Sequence, residues 1–348
     1  MIKLLRRGLF VGAVLLSAGS TPSLAQTQEE ASDNGASIVM YHRFGEQDYP
    51  STNTRLEQLD AHIAELKSGK YTLLSLGEMV RRLNDGDNFP EKSVGITIDD
   101  AYHSVYTEAW PRLKQAGIPF TLFVATNPVD RGLKRYMTWN QIREIAADPL
   151  VTIGSQTASH LHMVNASDER NRADLEASNK RFEEELGYTP KLIAYPYGEF
   201  STRVIDIVKG FGFQAGFGQH SGAFGAGDNI YGLPRFAMNE HYGDVARLKT
   251  AAASLPITAS DITPTDTVVT NDNNPPAVGF TLDDEGMKRS DQLACFSNHE
   301  GKLQVERLGP RIEVRMKQVL PEGRTRLNCT MPAGQGRWHW FGKLLYVK

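Results

Sequence analysis

From Ser37 to about Met238 the chain alternates short β-forming runs with amphipathic helical stretches, and that alternation restricts it to folds built on a parallel sheet. The strand candidates are Ser37–Tyr41, Tyr71–Ser75, Ser93–Ile98, Phe120–Ala125, Val151–Gly154, Leu192–Tyr195 and Gln214–Phe217. Between them, Thr54–Ser68, Leu76–Leu83 and Asp168–Leu186 space their apolar residues for one helix face. The number of units predicts a distorted (β/α) barrel, which we bound at residues 26–254.

The composition changes near Leu255. Residues 255–275 are rich in Thr, Asp and Pro and read as a linker. Residues 276–348 carry short alternating runs separated by Gly and Pro turns, the pattern of a small all-β, sandwich-like domain. The chain has two cysteines, Cys295 and Cys329, both in this region, and they read as a disulfide. Arg337-Trp338-His339-Trp340 sets two indoles on one strand face, as core or as a sugar-stacking surface.

Residues 1–25 read as a secretory signal peptide. Lys3, Arg6 and Arg7 precede the apolar stretch Gly8–Leu16, and Ser23-Leu24-Ala25 offers a cleavage site before Gln26. The apolar stretch is too short for a membrane span, so a periplasmic or secreted location follows. Losing those three cations takes the formal net charge from −3 to −6, which disfavours nucleic acid as a partner.

Three clusters carry chemistry, and each closes a predicted strand. They are Thr97-Ile98-Asp99-Asp100, the run Ser155-Gln156-Thr157-Ala158-Ser159-His160-Leu161-His162, and Ala194-Tyr195-Pro196-Tyr197-Gly198. In a parallel α/β fold, strand ends of one sense meet on one rim, where active sites gather. Adjacent carboxylates at such an end can divide the work of metal ligand and base.

These clusters, in this order, together with Met40-Tyr41-His42 on the first strand, resemble the polysaccharide deacetylase superfamily, the NodB-homology group of carbohydrate esterase family 4. The resemblance covers roughly Ser37 to Asn239. It implies a hydrolase that removes acetyl groups from a polysaccharide or oligosaccharide with metal-activated water. Asp99 matches the general base, Asp100 and His160 match metal ligands, and Tyr197 matches the residue whose backbone N–H faces the oxyanion. One divalent ion is expected, zinc first, with cobalt, nickel or manganese as alternatives. An acetylated glycan is the expected partner.

The chain also departs from the family pattern. Gln156 stands where the family has its first metal histidine, and its amide oxygen is a weaker ligand than imidazole. His162 is an alternative ligand. Ala194 stands where the third motif has Arg, and Arg235 is the candidate replacement. The last family motif, which supplies the general acid, is not recognisable. His220 is the first candidate for that role and His241 the second, while His42 and His103 can also reach the rim. His62 reads as a surface residue, and Tyr102, Trp139 and Phe200 as either a sugar platform or core. The competing expectation is a degenerate domain that binds glycan without turnover.

Overall fold

The computed structural model describes residues 35–348, together with Met1 and the short strand Ser32–Asp33. The signal-peptide reading of residues 1–25 lies outside the described residues, apart from Met1.

Strand β1 (Gly35–Tyr41) is followed by β2 (Ser93–Asp99), β3 (Phe120–Val124), β4 (Val151–Ser155), β5 (Leu192–Ala194) and β6 (Ala215–Phe217). They lie side by side in that order, every pair parallel, as a curled sheet. The seven residues of β1 and the seven of β2 are all buried, as expected of parallel strands covered on both faces. Two strands of this sheet escaped the sequence reading because each is only two or three residues long. They are β7 (Ala223–Gly225), antiparallel to β1, and β8 (Phe236–Ala237), parallel to it.

Helices α1 (Leu56–Leu66), α2 (Leu76–Asp85) and α3 (Asp168–Leu186) fall where the apolar spacing predicts. Local chemistry fixes the ends of α2 and α3. Ser75 and Ser167 accept from the N–H groups of Glu78 and Arg170, and Gly86 and Gly187 close the C-termini in the left-handed region. One reading fails on α1. His62 is fully buried, its Nδ1 accepting from Tyr41 Oη and its Nε2 donating to Gly243 O, both at 2.9 Å. The loop after Asn239 covers this face of α1, which the helix sequence does not reveal.

Residues 255–275 carry strands of their own. Leu255–Pro256 and Val268–Val269 each pair with the last strand of the chain, and β9 (Ala259–Thr263) pairs with β10 (Val278–Leu282). The longer strands that follow are β11 (Ala294–Ser297), β12 (Gln304–Leu308), β13 (Arg311–Arg315), β14 (Gly323–Gly334) and β15 (Arg337–Val347). One sheet runs β9-β10-β13-β12, and the other joins β15, β14 and β11. Phe280, Ile312, Leu327, Met331 and Leu345 fill the space between them. Cys295 and Cys329 face each other across β11 and β14 and are joined by a disulfide, which ties neighbours within one sheet. Trp338 is 40 % exposed, whereas Trp340 packs edge-on against Phe236 with ring centres 5.1 Å apart. The two indoles therefore have different surroundings.

Candidate active site

Because β1 to β6 run parallel, the residues just beyond their C-terminal ends share one rim. His42 follows β1, Asp99 ends β2 and Asp100 follows it, Gln156 follows β4, and Tyr195-Pro196-Tyr197 follows β5. The backbone there is unusual. Asp100, Ala101, Thr157, His160 and Tyr197 all have positive φ, between 49° and 73°. Left-handed backbone in non-glycine residues is stored strain that clusters at functional sites. The neighbouring Gly198 is obligatory, since its φ is +74° and a Cβ there would stand 2.4 Å from Gln219.

Asp99 is fully buried and clamped by Arg235. Nη1 and Nη2 of the arginine donate to Oδ1 and Oδ2 at 2.7 and 2.9 Å. Arg235 is itself fully buried, with Nε donating to Gly218 O at 2.8 Å and Nη1 also to Thr97 Oγ1 at 3.2 Å. Every charge and most donors of the pair are thus met, which a buried ion pair requires. Arg235 comes from the segment between β7 and β8, so it reaches Asp99 from a different part of the chain than the Ala194 position. His42 Nε2 lies 3.9 Å from Asp99 Oδ2.

Asp100 and His160 form a second pair. His160 Nε2 lies 3.3 Å from Asp100 Oδ1, close enough for an ion pair but not aligned for a hydrogen bond. Burial alone would raise the Asp100 pKa, but His160 and His42 pull it down to about 2. Burial opposes the His160 imidazolium, and the Asp100 and Asp99 charges outweigh it, so the His160 pKa lies above its ordinary value. Helix α3 holds the loop that presents His160. Asp174 Oδ2 accepts from the N–H groups of Ala158 and Ser159, both at 3.0 Å, and Asn171 Nδ2 donates to Met163 O at 2.9 Å.

Gln156 is fully buried beside this pair, with Oε1 accepting from the Asp100 N–H at 3.1 Å. That bond fixes the amide orientation, and Nε2 is left buried without a partner. His162 is turned elsewhere. Its ring stacks on Tyr197 with centres 3.9 Å apart, and Nδ1 lies 2.7 Å from Glu199 Oε2. Arg324, on β14, donates to Tyr197 O at 2.7 Å and lies 3.5 Å from Glu199 Oε1.

The structure therefore gathers Asp99, Asp100, Gln156, His160, Tyr197, His42 and Arg235 in one region. It does not bring His220 there. That ring is buried between Phe200 and β15, and burial with nearby Lys343 and Arg235 lowers its pKa to about 3. His241 stacks on Tyr242 beyond β8. Trp139 and Phe200 are core, packed on Phe182 and Tyr195, while Tyr102 packs against Tyr136 at the rim.

The donor set can be tested against the divalent ion that the resemblance implies. Among the described residues no three His, Cys, Asp or Glu side chains converge. Two ligands of one tetrahedral ion, each about 2.1 Å from it, stand about 3.4 Å apart. The 3.3 Å between His160 Nε2 and Asp100 Oδ1 fits that spacing, and Asp100 Oδ1 has no hydrogen bond of its own. Gln156 Oε1 can join only by sharing its bond to the Asp100 N–H. The site fits a divalent ion with two strong ligands rather than three.

Residues 86–216 match the family model for polysaccharide deacetylases, a stretch that includes Asp99, Asp100, Gln156, His160 and Tyr197. This region belongs to that family, and the fold around it is of the NodB-homology type. The chain is 27 % identical over 196 residues to the poly-β-1,6-N-acetyl-D-glucosamine N-deacetylase of Staphylococcus aureus, covering 53 % of this chain and 67 % of that one. Several solved structures share the fold. Two of them are the deacetylase PplD of Streptococcus pyogenes in complex with acetate (21 % identity, TM-score 0.58) and IcaB from Ammonifex degensii (24 %, 0.57). Each is covered over 98 % of its length, and they cover 63 % and 64 % of this chain. His42 and Arg235 both lie outside the stretch that matches the family model.

Proposed function

We propose that this protein is a metal-assisted deacetylase acting outside the cytoplasm on an N-acetylated hexosamine polymer. The observation that carries the reading is the pair of adjacent carboxylates with divided roles: Asp99 clamped by Arg235, and Asp100 beside His160. The Staphylococcus relative supports the substrate class. The disulfide and the signal-like N-terminus support an oxidising compartment, and no described helix is long and apolar enough to cross a membrane.

Asp100 and His160 would hold the ion, which when bound supplies Lewis acidity toward the acetyl carbonyl. Asp99 takes a proton from the water that attacks the carbonyl carbon. Arg235 holds both Asp99 oxygens in place, so the base is preorganised. The backbone N–H of Tyr197 stabilises the oxyanion, its loop held by the strained turn and by Arg324 on the carbonyl side. As the C–N bond breaks, the leaving amine needs a proton, and His42, 3.9 Å from Asp99, is the group placed to give it. Burial keeps His220 out of that role.

Acetate release from poly-β-1,6-N-acetyl-D-glucosamine oligomers, with chelator and then with added Zn²⁺ or Co²⁺, tests the reading. Release that stops with chelator and returns with metal is expected. Binding of the oligomers without release under any metal would instead favour the glycan-binding reading.

A further inference from the structure

The barrel and the β-sandwich meet along a seam. A cavity of about 270 Å³ opens there, with Phe200, His220 and Leu233 on the barrel side and Ile257, Phe341 and Lys343 on the sandwich side. None of Asp99, Asp100, Gln156, His160 or Tyr197 lines it. Its volume falls just below the usual range for drug-sized ligands and suits a single sugar-sized molecule. The seam is built for close approach. A Cβ on Gly342 would stand 1.8 Å from Ser221 O, so only glycine lets β15 lie against the loop that carries His220.

Two nitrogen-bearing side chains, Lys343 and His220, line this cavity. Lys343 is 9 % exposed, and no described carboxylate lies within ion-pair distance of it. The nearest field of opposite sign comes from Asp266, whose oxygens already accept from the N–H and Oγ1 of Thr202. Burial lowers the Lys343 pKa to about 8. His220 is 4 % exposed, and its Nδ1 has no hydrogen-bond partner. Leaving the buried His220 ring nitrogen unmet is costly, and such a group in native structures calls for a partner. Asp228 also lines the cavity, with Oδ2 accepting from the Gly225 N–H at 2.8 Å and its other oxygen left to accept a hydroxyl. Phe200 and Phe341 supply apolar walls.

We propose that this cavity binds a small hydroxylated carboxylate of the sugar-acid class, its carboxylate on Lys343 and His220 and a hydroxyl on Asp228. The proposal is independent of the deacetylase reading, because it uses no residue of that site. The Lys343 ammonium meets the carboxylate, the neutral His220 ring donates its N–H to it, and the aromatic walls cover the carbon faces of the ring.

Isothermal titration of the whole mature protein with glucuronate, glucose and acetate tests it, alongside Lys343→Met and Lys343→Gln. Glucuronate is expected to bind the wild type, glucose to bind at least tenfold more weakly, and both variants to lose at least tenfold in glucuronate affinity. Acetate binding that both variants lose would support the carboxylate subsite alone. No glucuronate binding, equal binding of glucose, or unchanged binding in the variants would overturn the proposal. Should both variants fail to fold, the His220 ring resonances of the wild type are the readout. They are expected to move on adding glucuronate, and static resonances would overturn the proposal.

Discussion

At the scale of single residues, the division of labour we propose for Asp99 and Asp100 rests on what each one touches. Asp99 has its two oxygens on a buried guanidinium, whereas Asp100 has one oxygen unbonded near His160. Removing the arginine would strand a buried charge. Arg235→Met is expected to cost about 3–5 kcal/mol of stability in denaturant titration, and adding Asp99→Asn to it should recover most of the loss. Gln156 marks the weak point of the proposed metal site, because its oxygen is committed to the Asp100 N–H. Gln156→His should tighten Zn²⁺ binding by about tenfold or more in competition with a chromophoric chelator. An unchanged affinity would mean that this position does not face the ion.

At the scale of elements, the rim is assembled from strand ends, and the sandwich strand β14 reaches across to it. Arg324 on β14 fixes the carbonyl of Tyr197, the residue whose N–H we assign to the oxyanion. Arg324→Met is expected to lower kcat by about 10- to 100-fold with little change in KM or in metal content. A rise in KM alone would show that Arg324 touches substrate instead. Much of this rim is legible in the sequence, because β2, β4 and β5 are apolar runs closed by polar clusters and parallel pairing puts their ends together. Arg235 is legible only as a residue type. Its path to Asp99 depends on β7 and β8, which are too short to show a period-2 pattern. The same limit applies to His62, whose burial is imposed by the loop at Gly243, and to His220, which β15 covers from about 120 residues away along the chain.

At the scale of the whole molecule, barrel and sandwich share apolar contacts. Tyr346 packs among Val204, Ile205 and Phe213, and Trp340 packs on Phe236. The seam also carries an acid sensitivity. His220 titrates near 6.5 when unfolded and at about 3 when folded, so the unfolded chain binds more protons between those values. Stability is therefore lost as pH falls from 6.5 toward 3, by about 2 kcal/mol at pH 5 from this group alone. His220→Gln is expected to flatten that loss between pH 7 and pH 5 in urea denaturation. The central claim is that one carboxylate moves the proton while its neighbour holds the ion. Zinc content and acetate release measured together in Asp99→Asn and Asp100→Asn test it most directly. The account predicts that Asp99→Asn keeps its zinc and loses about 10²–10⁴-fold in kcat, while Asp100→Asn loses both. Zinc lost from Asp99→Asn, or turnover retained in it, would contradict the account.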